Sequence, residues 1–431
     1  MSKTFRAWDV DQRVLFPASA GELVPRDHLA HFVRELVRGE LDLGPILATY
    51  DEERGQPPYH PAMMTALLLY AYCRGVYSSR KIETGCAERV DFMAVTGMAK
   101  PDHSTISGFR KEHLGALAGL FTEVLDLCRE AGMAKLGHVA LDGTKVLANA
   151  SKHRAMSYGR MRAEEPRLAE EVDGWLRRAE EADREEDAAE GEEGRAQRMP
   201  EWASRKEERL ARIREAKARL EERARDRDRE GGGSGGGPPA DREQVNFTDP
   251  DSRVMRTRGT YEQSYNCQLA VDAAGQVVVA ADVTQRQNDS EELAGMLEAV
   301  RAEAGELPRE MSADANYCSE ENLRLLRRKG VRGYVATGRM TRGRASATDR
   351  GTKRGRLTMA MRRRLKLGGW RSRYRLRKIT VEPVVGQIKE ARGFRRFLLR
   401  GLGRVRAEWR LVCTVHNLLK LAGARRAAAR A

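Results

Sequence analysis

A short apolar run that stops on an acid is the strongest constraint in this sequence. Within residues 137–153 (GHVALDGTKVLANASKH), Val139, Ala140 and Leu141 are followed at once by Asp142. A continuous apolar run of this length suits a strand covered on both faces. An acid at its end carries a desolvation cost unless a cation or hydrogen-bond donors offset it. Taken locally, Asp142-Gly143 reads first as a turn. A chemical role for Asp142 requires other carboxylates at the same place, and Asp314 and Glu382 are the two candidates downstream.

At 431 residues the chain has room for two or three domains and a sizeable core. No apolar run approaches the ~20 residues of a membrane span. The opening MSKTFRAWDVDQ lacks the apolar centre of a secretory signal, so a soluble cytoplasmic protein is expected. The six cysteines (Cys73, Cys86, Cys128, Cys267, Cys318, Cys413) have no paired spacing. That argues against a zinc site or a disulfide framework and for reduced, structural thiols. The net charge of +15 is lopsided: residues 339–431 carry 28 Lys and Arg against 4 Asp and Glu. The other 338 residues hold 50 basic and 59 acidic side chains. Ordinary solvated surfaces intersperse the two signs, so this cationic pole points to a long polyanion as partner.

Residues 1–135 read as a helical domain. HLAHFVRELV has apolar positions at helical spacing, Pro61 opens a second helix, and a third runs from Ser104 as N-cap through Leu125. Compact helical units often bind DNA, although many do not. His60 and His103 precede helix starts and are read as structural. Residues 155–244 are crowded with Glu, Arg, Lys and Ala around sparse apolar positions such as Leu168, Trp175, Leu210 and Ile213. They suit one or two long exposed helices, paired as a hairpin, with EGGGSGGGPP as a flexible linker.

Residues 136–154 and 245–420 then compose one α/β domain. YNCQLAV and VVVAADV flank a short Gly-containing turn and predict a β-hairpin. Asp289 with Glu292 resembles a capping box for the next helix. A strand ends at Asp314, Ser319 caps a helix that stops at Gly330, residues 331–336 give another strand, and a helix follows Tyr374. Strand–helix alternation with one hairpin predicts a mixed sheet flanked by helices.

On the last of these helices Glu382 has Lys378 four residues before it and Lys389 seven after, a spacing that predicts one shared face. Pro383 places the acid near the first turn. Alone, Glu382 reads as a surface ion pair. With two strand-end aspartates the pattern changes, because three carboxylates can hold two divalent cations about 3.5–4 Å apart. Oxygen ligands suit Mg²⁺; one ion would activate water or a 3′-hydroxyl and the other stabilise the leaving oxygen of a phosphodiester. Asp249, Asp251 and Asp272 are read as turn residues, and Asp282 is the chief rival of Asp314. Asn316 and Tyr317 stand beside Asp314, Trp409 is a core residue, and His416 with Asn417 forms a satisfied interior pair.

These segments resemble the DDE-type bacterial insertion-sequence transposases. The likeness rests on HPAMMTALLLYAYCRGVYSSRKIE, PDHSTISGFRK, LDGTKVLANASKH, NFTDPDSRVM, SADANYCSEEN and VEPVVGQIKEARGFRRFLLRG. It implies an RNase H-like catalytic core behind a helical N-terminal domain, interrupted by the charged insertion. It further implies Asp142, Asp314 and Glu382 as catalytic ligands of two Mg²⁺ or Mn²⁺ ions, cleavage at element ends, and strand transfer into target DNA. The implied partners are double-stranded DNA, as terminal repeats and target, and a second copy of the chain in the synaptic complex, with no membrane. Related transposases carry a Tyr, Arg, Glu, Lys signature on the last helix. Here Glu382 and Lys389 keep their spacing, Lys378 falls on the Arg place, and Arg375 falls on the Tyr place with Tyr374 one residue early. Lys378, Lys389, Arg375, Arg377, Arg395 and Arg396 are expected to hold DNA phosphates, and Trp370 to stack on a base or sugar. The alternatives are an RNase H-like nuclease or resolvase without joining activity, and a catalytically inactive DNA-binding regulator.

Overall fold

Strand β1 (His138–Leu147) is the centre of the sheet, and it is longer than its apolar run. The computed structural model describes residues 19–50, 57–189, 201–231, 237–257, 259–338 and 355–430. Two short strands, β2 (Ala155–Ser157) and β3 (Gln244–Asn246), pair separately at the root of the insertion. The main sheet continues with β4 (Arg253–Thr257), β5 (Thr260–Asp272), β6 (Val277–Thr284), β7 (Glu310–Ala313) and β8 (Arg332–Val335). β5 runs antiparallel to β1 and also takes β4 and β6, whereas β7 is parallel to β1 and β8 parallel to β7. The strand expected to stop at Asp142 does not. Pairing with β5 runs unbroken from Val139 to Leu147, and Val146 is fully buried, so Asp142 lies inside β1 and Gly143 is a strand residue.

Among the described residues seven α-helices precede the sheet: α1 (Leu29–Gly39), α2 (Gly44–Leu47), α3 (Pro61–Cys73), α4 (Ser79–Glu88), α5 (Val90–Thr96), α6 (His103–Glu112) and α7 (Leu114–Glu130). The sequence from Leu67 to Tyr72 in α3 is buried on every side, as a helix apolar all round must be. His60 caps α3, its Nδ1 accepting from the Ala62 N–H at 3.1 Å. The single helix expected from Ser104 is two, broken at His113, and Asp102 is the cap that accepts from Ser104 and Thr105. His113 is buried at that break and bonds the Tyr50 hydroxyl.

The insertion holds α8 (Tyr158–Ala189) and α9 (Glu201–Gly231), tied by Glu165 to Arg214 and Lys217 and by Glu171 to Lys206. Its own small core joins Met161, Leu168, Leu210 and Ile213 to Met156 and Val245 at the root. Part of the Gly-rich linker and most of the basic stretch before residue 355 lie outside the described residues.

The remaining helices are α10 (Glu292–Ala304), α11 (Glu320–Arg328), α12 (Arg356–Gly368), α13 (Leu376–Gly386) and α14 (Leu402–Ala428). Ser319 caps α11 as its sequence predicts, accepting from Asn322 N–H at 3.0 Å. The box expected at α10 does not form: Glu291 is the cap residue without a side-chain bond, because the Asp289 carboxylate turns to Asn266 and Gln268 instead. α14 packs against both α7 and β6, and one continuous apolar core includes Leu67 and Phe121 together with Val139 and Trp409. Asn417 completes this junction by bonding both the N–H and the carbonyl of Val278, each at 2.8 Å, beside an irregularity in the β5–β6 pairing. All six cysteines are buried, and none is in a disulfide. Among the described residues no helix is long and apolar enough to cross a membrane.

Candidate active site

The register of β1 on β7 pairs Leu141 with Ala313, so the next residues on the two parallel strands, Asp142 and Asp314, come level. In-register residues on parallel neighbours share a face of the sheet. Asp314 follows β7 directly and is fixed by Asn316, whose backbone N–H donates to it at 2.9 Å and whose side chain does so at 3.3 Å. Burial pushes the Asp142 carboxyl up to about 6, with Arg377 pulling it back and Asp314 adding to the rise. Burial raises Asp314 as well, again opposed chiefly by Arg377.

Helix α13 lays Thr380, Val381 and Val384 inward and packs on β1. Pro383 lies well inside it, and Glu382 is therefore mid-helix, not in the first turn as the sequence predicts. A proline deprives the carbonyl four residues earlier of its donor. That carbonyl belongs to Ile379, and Gln276 from the β5–β6 turn donates to it at 2.9 Å. The helix tolerates its proline because a side chain from elsewhere fills the gap.

Arg377 spans the acids. One guanidinium nitrogen lies 2.7 Å from Asp142 Oδ2 and another 3.0 Å from Glu382 Oε1. Burial works against its charge, but Asp142, Tyr374 and Asp314 outweigh that and raise its pKa. Arg377 is thus the basic residue that faces the acids, and Lys378, expected there from its spacing, is exposed. Tyr374 is buried within the electrostatic reach of Asp142, Asp314 and Glu382, while Arg375 is exposed. Nor do Lys378 and Lys389 share a face. A π-turn at Gln387–Ala391 widens the helix, and Lys389 donates to Thr144 Oγ1 at 3.0 Å and to the Lys145 carbonyl at 2.8 Å.

Past the π-turn the chain runs beside β1 and bridges to Leu147. Arg395 bonds the Lys389 carbonyl and pairs with Glu390; Arg396 bonds the Ala148 carbonyl at 3.0 Å. Arg396 and Arg400, with Lys152, His153 and Arg154, line an open cleft of about 630 Å³. The Trp370 side chain lies outside the described residues.

Sequence reasoning missed Asp289. Its carboxylate accepts from Asn266 Nδ2 at 2.7 Å and Gln268 Nε2 at 2.8 Å, and stands 3.8 Å from Lys145 Nζ and 3.5 Å from Asn316 Nδ2. The available signal was Asn266 and Gln268 themselves, two amides two residues apart and so on one face of β5, both buried and so in need of a partner. Tyr317 joins the same network through Gln268. Asp282 is elsewhere, paired with Arg406 at 2.9 Å. Asp249 accepts from the Tyr265 hydroxyl and the Gly401 N–H, Asp251 from the Leu402 N–H, and Asp272 from Lys135, Leu136 and Ala274.

Among the described residues no three His, Cys, Asp or Glu side chains stand in a metal-holding arrangement. The candidate donor set is chemically suited to a hard divalent ion: two partly buried carboxylates come level with each other, every candidate donor atom is oxygen, and an arginine supplies compensating charge.

A mixed sheet with one acid inside its central strand and another at the end of the parallel neighbour defines an RNase H-like α/β protein of the DDE kind. Comparison agrees: the family described as Transposase domain (DUF772) matches residues 18–112, and that described as Transposase DDE domain matches residues 339–422. The two matches, one towards each end of the chain, support a DNA transposase of the DDE insertion-sequence type. The second match contains Glu382; Asp142 and Asp314 lie outside both. No curated protein and no solved structure matches the chain.

Proposed function

We propose that Asp142, Asp314 and Glu382 carry a divalent-metal-dependent reaction that cuts DNA at element ends and joins the freed 3′-hydroxyl to target DNA. The observation that supports this most is that the β1–β7 register brings two partly buried carboxylates level, with Glu382 linked to Asp142 through Arg377. Asp142 and Asp314 would hold the metal, Mg²⁺ or Mn²⁺, with Glu382 as the third ligand. When bound, the ions would supply Lewis-acid activation of the attacking oxygen and charge stabilisation at the leaving oxygen. Lys389 and its bonds to β1 would fix α13 against the strand that bears Asp142. Arg375, Lys378, Arg395 and Arg396 would hold phosphates, and the helices of residues 1–135 would add to DNA binding. Bringing two ends together calls for at least two copies of the chain.

The test is incubation with paired end substrates and target DNA in Mg²⁺ or Mn²⁺. Cleaved and joined products are expected, and Asp314→Asn should lose both by on the order of a thousandfold. Cleavage without joined product would indicate a nuclease or resolvase, and undiminished cleavage by Asp314→Asn would reject the ligand assignment.

A further inference from the structure

Arg377 occupies the place where a cation would compensate the carboxylates. Its side chain is only 12% exposed, it bonds Asp142 and Glu382 together, and its Nε is buried with no hydrogen-bond partner among the described residues. Two partly buried carboxylates brought level on β1 and at the end of β7 favour a compensating charge between them. A guanidinium provides it permanently, because it does not lose its proton. It cannot share Asp142 Oδ2 with a divalent ion without strong like-charge repulsion at contact distance. One cation must leave for the other to bind. A departing guanidinium is well matched to phosphate, whose oxygens accept its paired donors, and exposed Arg375 and Lys378 flank it on the same segment.

We propose that Arg377 is the resident counter-ion of the carboxylate site and is exchanged for the divalent metal when a DNA phosphate takes its guanidinium, so that metal and DNA load cooperatively. This rests on Asp142, Asp314 and Glu382 being the ligands. Linkage makes the coupling reciprocal: DNA tightens metal binding by the factor by which metal tightens DNA binding.

The experiment is titration of the full chain with Mn²⁺ alone, free Mn²⁺ being read by electron paramagnetic resonance, with and without a short duplex. Without DNA, Arg377→Gln should bind Mn²⁺ on the order of tenfold more tightly than the parent. DNA should raise the parent's affinity by a similar factor, counted against Asp314→Asn with the same duplex, and leave Arg377→Gln unchanged. Parent-like or weaker Mn²⁺ binding by folded Arg377→Gln overturns the exchange. Absence of any DNA effect in the parent does the same and needs no variant to fold. The ligand assignment fails separately if adding Asp314→Asn to Arg377→Gln leaves Mn²⁺ affinity unaltered.

Discussion

The Asp289 carboxylate fills the space where Gly143 would otherwise carry a β-carbon, with the Gln268 amide 2.7 Å from the same point. Gly143 follows Asp142 in β1, so its missing side chain lies on the opposite face, where Asn266, Gln268 and Lys145 gather round Asp289. A glycine inside a strand usually marks a close approach of this kind.

Gly143→Ala should therefore displace Asp289 and the amides bonded to it. We expect a loss of about 1–3 kcal/mol in stability, as overpacking a filled site gives, together with reduced cleavage. Thermal unfolding and a cleavage assay check both. In an Asp289→Ala background the same change should cost less, since the obstructing carboxylate is gone, and a double-mutant cycle would measure that coupling.

Lys389 joins the π-turn to Thr144 and Lys145. Lys389→Met should loosen α13 against β1 and lower the cleavage rate by on the order of a hundredfold, the scale of a small misplacement in an active site. Binding to end DNA, read by anisotropy, should change far less than the single-turnover rate.

The cleft beside β1 tests electrostatics. Arg396 and Arg400 are exposed there, each bonding one backbone carbonyl, of Ala148 and Asn149 respectively. Arg400→Ala should weaken DNA binding about evenly across sequences. It should also flatten the dependence of log affinity on log salt, by about 0.9 for each phosphate that is no longer neutralised. A change confined to one sequence would instead mark Arg400 as a base-reading residue.

Glu408 gives a pH signature. Fully buried in α14, it accepts backbone N–H groups from Leu398 and Leu399, yet burial pushes it up to about 7 from 4.5. The native state then holds its proton more tightly than the unfolded chain. Its contribution is complete below pH 4.5 and is lost as pH rises towards 7, by about 3 kcal/mol in all. Glu408→Gln keeps an acceptor without the charge and should flatten that decline in denaturant unfolding measured from pH 4.5 to 7.5.

Local chemistry determined much of this protein. The apolar run of β1, the hairpin of β5 and β6, the strand that stops at Asp314, the Ser319 cap and the charged helical pair all follow from side-chain period, turn residues and capping groups within a few positions of each other. Tertiary structure decided what local pattern does not encode. Spacing put Lys378 beside Glu382, but packing placed Arg377 between Asp142 and Glu382. Pro383 read as a helix start, and Gln276, distant in sequence, made it an interior residue by taking the Ile379 carbonyl. Asp289 read as a cap until Asn266 and Gln268 claimed it. The physical reason is common to all three. A buried charge or an unpaired carbonyl is satisfied by whichever group packing brings within reach, and that group need not be near in the chain.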